Sequence, residues 1–130
     1  MVRDTVIMLL LLLAYACATD THVDTRVRSA LDVLAQVIDP AYSLAMDGCI
    51  ARQEVATAEA ESGLATVEHA QATIAQVRVR CDRVREGFET IRIHHEQAVR
   101  SVEAGELEQA EHILEQIRLD WAALRAGGAT

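Results

Sequence analysis

The seam positions between Val67 and Val102 recur in alternating steps of three and four residues, without a slip over about five heptads. They are Val67, Ala70, Ile74, Val77, Cys81, Val84, Phe88, Ile91, His95, Ala98 and Val102. This spacing predicts a long α-helix that turns one narrow face toward partner helices. We expect the remaining segments to pack around this central helix.

Two further amphipathic segments precede the central helix. Apolar residues repeat at helical spacing from Val27 to Ile38, and this repeat ends at Asp39-Pro40. Asp is a favoured N-cap residue and Pro is tolerated at the first helical position, so a new helix is predicted from about Ala41 to Glu61. Because no glycine is nearby for a tight reversal, we predict a kink between these two helices.

Ser62-Gly63 is a predicted helix stop, since glycine just past a helix end adopts the left-handed conformation freely. Folding the chain back there brings Tyr42 level with Phe88 and Cys49 level with Cys81. The alternative is one continuous rod, because the seam keeps its phase through the glycine and a mid-helix glycine costs only about 1 kcal/mol. We favour the hairpin.

A second break, at Ala104-Gly105, is followed by a shorter apolar repeat from Leu107 to Leu124. Folding back at this break places Trp121 beside Phe88. Tyr42, Phe88 and Trp121 are then predicted to form one aromatic core level. The expected fold class is all-α, an antiparallel helical hairpin or small helical bundle with a coiled-coil-like seam around the long central helix.

The N-terminus has the form of a secretory signal. Arg3 precedes an apolar run of about a dozen residues that ends in small residues around Cys17. The run is short for a membrane span, which needs about 20 residues; an uncleaved anchor helix is the alternative. The predicted organisation is a signal over residues 1–18, a short polar tether over 19–25, a helical bundle domain over 26–126 and a flexible tail over 127–130.

The stretch Leu13-Ala14-Tyr15-Ala16-Cys17 resembles the cleavage box of bacterial lipoproteins, with Ala14 where that family usually has leucine. The resemblance covers only the signal and implies that Cys17 becomes the lipidated first residue. Ordinary signal peptidase, cutting after Ala16 or Ala18, is the alternative. Export would leave Cys49 and Cys81 as an even pair in an oxidising compartment, which predicts a disulfide. The alternative is two buried, small apolar side chains.

The charge pattern argues against a nucleic-acid partner, because the net charge is −8 and phosphate backbones select basic faces. Acidic residues crowd the segments that flank the central helix, while Arg78, Arg85 and Arg92 recur along it at intervals of seven. The cluster from Arg78 to Arg85 is interpreted as a face for acidic neighbouring helices. The alternative is a surface for anionic lipid or cell-wall polymer.

No catalytic arrangement is evident. No serine lies in a glycine-flanked elbow, and the glycines do not form a phosphate loop. His94 and His95 are adjacent and point about 100° apart on a helix, so they do not share one metal ion readily. Glu108 and His112 lie one turn apart and form a weak metal half-site. We therefore expect neither an enzyme nor a bound cofactor.

These patterns favour an exported, lipid-anchored, helical envelope protein that acts as a binding or structural module. It would sit in the periplasm or at the outer membrane of a bacterium, attached through its N-terminal lipid or anchor. Its partners would be another envelope protein or copies of itself. One alternative is a phage lysis protein of the spanin type, which the chain resembles only in layout. Another is a small metal-binding helical protein.

Overall fold

The computed structural model describes the backbone of residues 2–127 and the side chains of residues 22–127. The predicted lipidation of Cys17 and the tail beyond Gly127 therefore lie outside the described side chains. The described chain forms three helices and contains no strand. They are α1 (Val2–Glu61), α2 (Val67–Glu103) and α3 (Leu107–Ala126). The all-α class, the hairpin and the long central helix α2 are confirmed.

Both reversals of the chain use glycine in the left-handed region, at Gly63 (φ 75°) and Gly105 (φ 76°). After α1, the Leu64 amide donates to the carbonyl of Glu59 at 3.1 Å. After α2, the Glu106 amide donates to the carbonyl of Ser101 at 2.8 Å. Both are six-to-one bonds of the Schellman motif, which satisfies the last helical carbonyls and ends the helix. The chain therefore reverses at Gly63, and the rod is excluded.

The core follows the predicted seam, but it is concentrated where three helices meet. Ile91, Ala98 and Ala110 are fully buried there, and Ile113 adds a position that the predicted seam of α3 lacks. The buried cluster is Val27, Leu31, Ile38, Val84, Phe88, Ile91, Ala98, Val102, Ala110, Ile113 and Ile117. Toward Gly63 only α1 and α2 remain in contact. Val67, the first predicted seam position, is exposed in this two-helix part.

The predicted helix boundary at Asp39-Pro40 is wrong, because α1 continues through Pro40. Proline inside a helix removes one backbone hydrogen bond and costs about 3 kcal/mol. Packing of Ile38 and Tyr42 on either side of it against the core offsets that cost. Asp39 does not cap a new helix but accepts a hydrogen bond from Arg92 at 3.0 Å.

The backbone of residues 19–25, the predicted tether, is part of α1. Neither glycine nor proline occurs in this stretch, so nothing in it breaks the helix. α1 consequently begins at Val2, well before Val27, the first of its described side chains that is buried. Among the described residues, no helix has an apolar stretch long enough to cross a bilayer.

Candidate functional site

Three aromatic rings meet where α3 approaches its end. The Phe88 ring lies edge-on to Tyr42 at 5.5 Å between ring centroids and edge-on to Trp121 at 5.8 Å. The Arg92 guanidinium lies 4.7 Å from the centre of the Tyr42 ring, a cation–π contact. These are the rings that the two hairpin registers place at one level. The three rings come from all three helices and pack at one level of the bundle.

An apolar cleft of about 440 Å³ opens next to this aromatic level. It lies at the step where α3 stops and the α1–α2 hairpin continues alone. The hairpin supplies its floor, and the last turns of α3 supply one wall. The lining residues are Ala41, Leu44, Ala45, Gly48, Cys49, Arg52, Arg80, Val84, Phe88, Trp121, Leu124 and Arg125.

Small side chains on α1 leave this space unfilled. Ala41, Ala45 and Gly48 follow each other at steps of four and three, so they lie along one edge of the helix. A Cβ atom added at Gly48 would meet no other atom within 4 Å. On α2 the opposite holds, because a Cβ at Gly87 would clash with the end of the Leu124 side chain. Gly87 thus lets α3 approach α2 closely, while Gly48 keeps the cleft open.

The rim of the cleft is basic. Arg52, Arg80 and Arg125 line it, and no acidic residue does. Within the described part of the chain, none of these three guanidinium groups has a hydrogen bond or an ion pair. Arg78, Arg83 and Arg100, which do not line the cleft, also lack such a partner, whereas five arginines pair with carboxylates: Arg26, Arg28, Arg85, Arg92 and Arg118. The rim therefore presents unneutralised positive charge on a protein whose net charge is −8.

The arginine cluster of α2 does not face acidic neighbours as predicted. Arg85 pairs with Asp82 on its own helix at 3.0 Å, and Arg80 points to the cleft. The ion pairs that join different helices among the described residues are instead Arg92 with Asp39 and Arg26 with Glu111. Sequence spacing identified the basic cluster but not the partners of its members, and Arg85 pairs within its own helix.

The adjacent histidines of α2 each contact a different helix. His94 Nδ1 donates to the Asp120 carboxylate on α3 at 2.6 Å. His95 Nε2 lies 2.9 Å from the Leu31 carbonyl on α1 and must donate to it, since a carbonyl only accepts. Gln116 adds a second bond to Asp120 at 3.1 Å. Two residues that point about 100° apart thereby tie both flanking helices to α2.

The weak metal half-site is not assembled into a larger group. Glu108 and His112 lie exposed on α3, and no cluster of three or more His, Cys, Asp or Glu side chains among the described residues could hold a metal ion. Glu115, one turn beyond His112, is engaged elsewhere. Its carboxylate accepts hydrogen bonds from Arg118, which lower the pKa of the carboxyl group and raise the pKa of the guanidinium.

Cys49 and Cys81 lie together at disulfide distance, with their Cα atoms 5.8 Å apart. This separation falls within the range that disulfides need, about 4.4–6.8 Å. Cys49 is buried and also lines the cleft, so a cross-link here would hold the floor of the cleft together. The pair is level in the register that folding at Gly63 predicts.

Comparison with protein families, curated proteins and solved structures finds no match to this chain. The cleft, with Gly48, Arg52 and Arg125, is the feature that sequence reasoning missed. The sequence signal for it is the set of small residues at positions 41, 45 and 48, one helical edge away from the seam and followed one turn later by Arg52.

Proposed function

We propose that this chain is an exported envelope protein, held at a membrane by its N-terminus, whose three-helix domain acts as a binding module rather than as an enzyme. The observation that carries the binding role is the apolar cleft with its unpaired arginine rim. Such a combination suits recognition, because an apolar surface supplies affinity while a few polar groups fix orientation.

The cysteine pair supports an extracytoplasmic location. Disulfides form and persist in oxidising compartments and are rare in the cytosol. Cys49 and Cys81 come from different helices and lie 32 residues apart in sequence, yet they meet at bonding distance. Together with the signal-like start and the lipoprotein-type box at Cys17, this pairing favours export.

Mature-chain mass and cell fractionation test the location. The full-length chain, expressed in a bacterium, should reach the membrane fraction with Cys17 as its acylated first residue. Cys17→Ser is the matched variant and should release the protein from the membrane or leave the precursor uncut. An unlipidated chain starting at Thr19 would keep export but contradict the lipid anchor. Recovery of intact Met1 in the cytosol would contradict both.

The thiols provide a second test of compartment. In the exported protein Cys49 and Cys81 should resist alkylation until a reductant is added, whereas cytosolic expression of residues 19–130 should yield alkylated thiols. Free thiols in the exported protein would count against the proposal.

A further inference from the structure

We infer that the cleft at the end of α3 binds a single-chain anionic amphiphile, a long-chain fatty acid, with its hydrocarbon chain between α1 and α3 and its carboxylate at the arginine rim. This inference rests on the proposed binding role and specifies its ligand. It does not depend on where the protein resides, so its failure and the failure of the export proposal can be told apart.

The body of the cleft suits a hydrocarbon chain. Val84 and Phe88 form its buried floor, Trp121 and Leu124 form one side, and the volume of about 440 Å³ lies within the roughly 300–1,000 Å³ of small-molecule sites. Leu44 stands at the opening with 76% of its surface exposed. A ligand chain laid against these residues would remove apolar surface from water, which is favourable in proportion to the area covered.

The rim suits a carboxylate. Arg52 on α1, Arg80 on α2 and Arg125 on α3 approach the cleft from three different helices, and none is neutralised by the described residues. Guanidinium groups bind carboxylates through two parallel hydrogen bonds, which makes arginine the side chain suited to this anion. A cationic or uncharged amphiphile of equal length would lack these bonds.

Two other occupants fit less well. A single turn of a partner helix, about 5.4 Å of a cylinder about 10 Å wide, already fills roughly 420 Å³, so a longer partner helix would lie across the opening rather than inside the cleft. A lipid on Cys17 would start 24 residues before Ala41 on the same helix, about 36 Å away along its axis. A free single-chain ligand remains the occupant that matches both the apolar lining and the charge of the cleft.

Trp121 makes binding directly measurable, since it lines the cleft and is the single tryptophan of the chain. Titration of the full-length protein with dibrominated stearate should quench its fluorescence, because bromine quenches on contact. Gly48→Leu should weaken binding by about tenfold or more by filling the cleft, at a position where the added side chain meets open space. Ala35→Leu, on an exposed position of the same helix, is the matched control and should bind normally.

Charge variants separate recognition from adsorption. Arg52→Gln combined with Arg125→Gln should weaken hexadecanoate binding by about tenfold, whereas Arg78→Gln combined with Arg100→Gln, which removes the same charge away from the cleft, should not. Hexadecyltrimethylammonium should bind at least about tenfold more weakly than hexadecanoate. Folding of each variant is checked by circular dichroism.

Several results would overturn the inference. Equal quenching in Gly48→Leu and in the parent protein would place the ligand elsewhere. Equal affinity for the cationic and anionic chains would indicate apolar adsorption alone. Absence of fatty-acid binding, together with a dimer in light scattering that Gly48→Leu converts to a monomer, would assign the cleft to a second copy of the chain. None of these results would alter the outcome of fractionation.

Discussion

Truncation of Phe88 to alanine tests the packing of all three helices at once. Phe88 comes from the central helix, is only 4% exposed, and has Tyr42 of α1 on one side and Trp121 of α3 on the other. Both aromatic pairs among the described residues include Phe88. Removing its ring therefore takes away packing surface from both helix pairs and opens a void between them.

The expected loss follows from two contributions. Truncation of a buried phenylalanine to alanine destabilises by about 3–5 kcal/mol, and each edge-on aromatic pair contributes about 0.5–1.5 kcal/mol beyond its area. Phe88 also borders the cleft, so the new void would join a space already open to water. Neighbouring side chains can relax into it, and we expect a loss of about 3 kcal/mol, at the lower end of the range.

Urea unfolding, followed by circular dichroism and by Trp121 fluorescence, measures this loss. With a slope of about 1–3 kcal/mol per molar urea, a loss of about 3 kcal/mol lowers the midpoint by roughly 1–3 M. The folded-state emission should also shift to the red as Trp121 loses its neighbour. Phe88→Leu, which keeps most of the volume, should lose less than half as much. Val79→Ala, on an exposed position of the same helix, should change stability by less than about 0.5 kcal/mol.

An unchanged midpoint and an unchanged emission spectrum for Phe88→Ala would refute the reasoning. Such a result would mean that α1 and α3 do not enclose this ring in solution. A large loss with no spectral change would mean that Phe88 packs in the core but that Trp121 is not beside it. The midpoint therefore tests the combined packing of the ring against both helices, and the emission spectrum tests the α2–α3 contact alone.

Three further changes have defined outcomes. Replacing Cys49 and Cys81 by serine should lower the free energy of unfolding by about 3–4 kcal/mol, the chain-entropy value for a separation of 32 residues. Peptide mapping of the oxidised monomer should recover the cross-link between them, and covalent dimers joined through like cysteines would contradict this intrachain bond. Asp120→Ala should lower the free energy of unfolding, measured in urea, by about 1–3 kcal/mol, because half-buried His94 loses the carboxylate to which it donates. An unchanged midpoint would show that the hydrogen bond between His94 and Asp120 does not stabilise the packing of α3. Pro40→Ala should raise the free energy of unfolding by about 1–3 kcal/mol, because it restores a backbone N–H inside α1; a loss instead would show that a bend at this position is needed for packing.

The fold was largely predictable because its main determinants are periodic and local. The three-and-four spacing of apolar residues defines which face of α2 is buried, and left-handed glycines at positions 63 and 105 define where the chain reverses. Once the buried face of α2 and the positions of the reversals are known, the register between neighbouring helices follows from counting residues. This is why Cys49 meets Cys81 and Tyr42 meets Phe88 in the structure.

The continuity of α1 was not predictable from local signals. Asp39-Pro40 has the chemistry of a helix start, and local preferences favour a boundary there. The structure has a continuous helix because Ile38 and Tyr42, on either side of the proline, both pack against the core. Tertiary packing of several side chains outweighs one missing hydrogen bond, and that comparison requires knowledge of the packed partner.

The cleft was missed for a different reason. The apolar periodicity predicts which residues face a partner helix, but it does not predict where along α2 the third helix, α3, ends. α3 ends near Gly87 of α2, while the hairpin extends about five and a half turns further, to Val67. Beyond the end of α3, residues that lie beside the seam positions, such as Gly48 and Arg80, have no third helix to cover them. A small residue there leaves a space, and an arginine there keeps its charge unpaired. The same step in the bundle thus produces both properties of the proposed ligand site, and neither property can be assigned until the end of α3 has been located against α2.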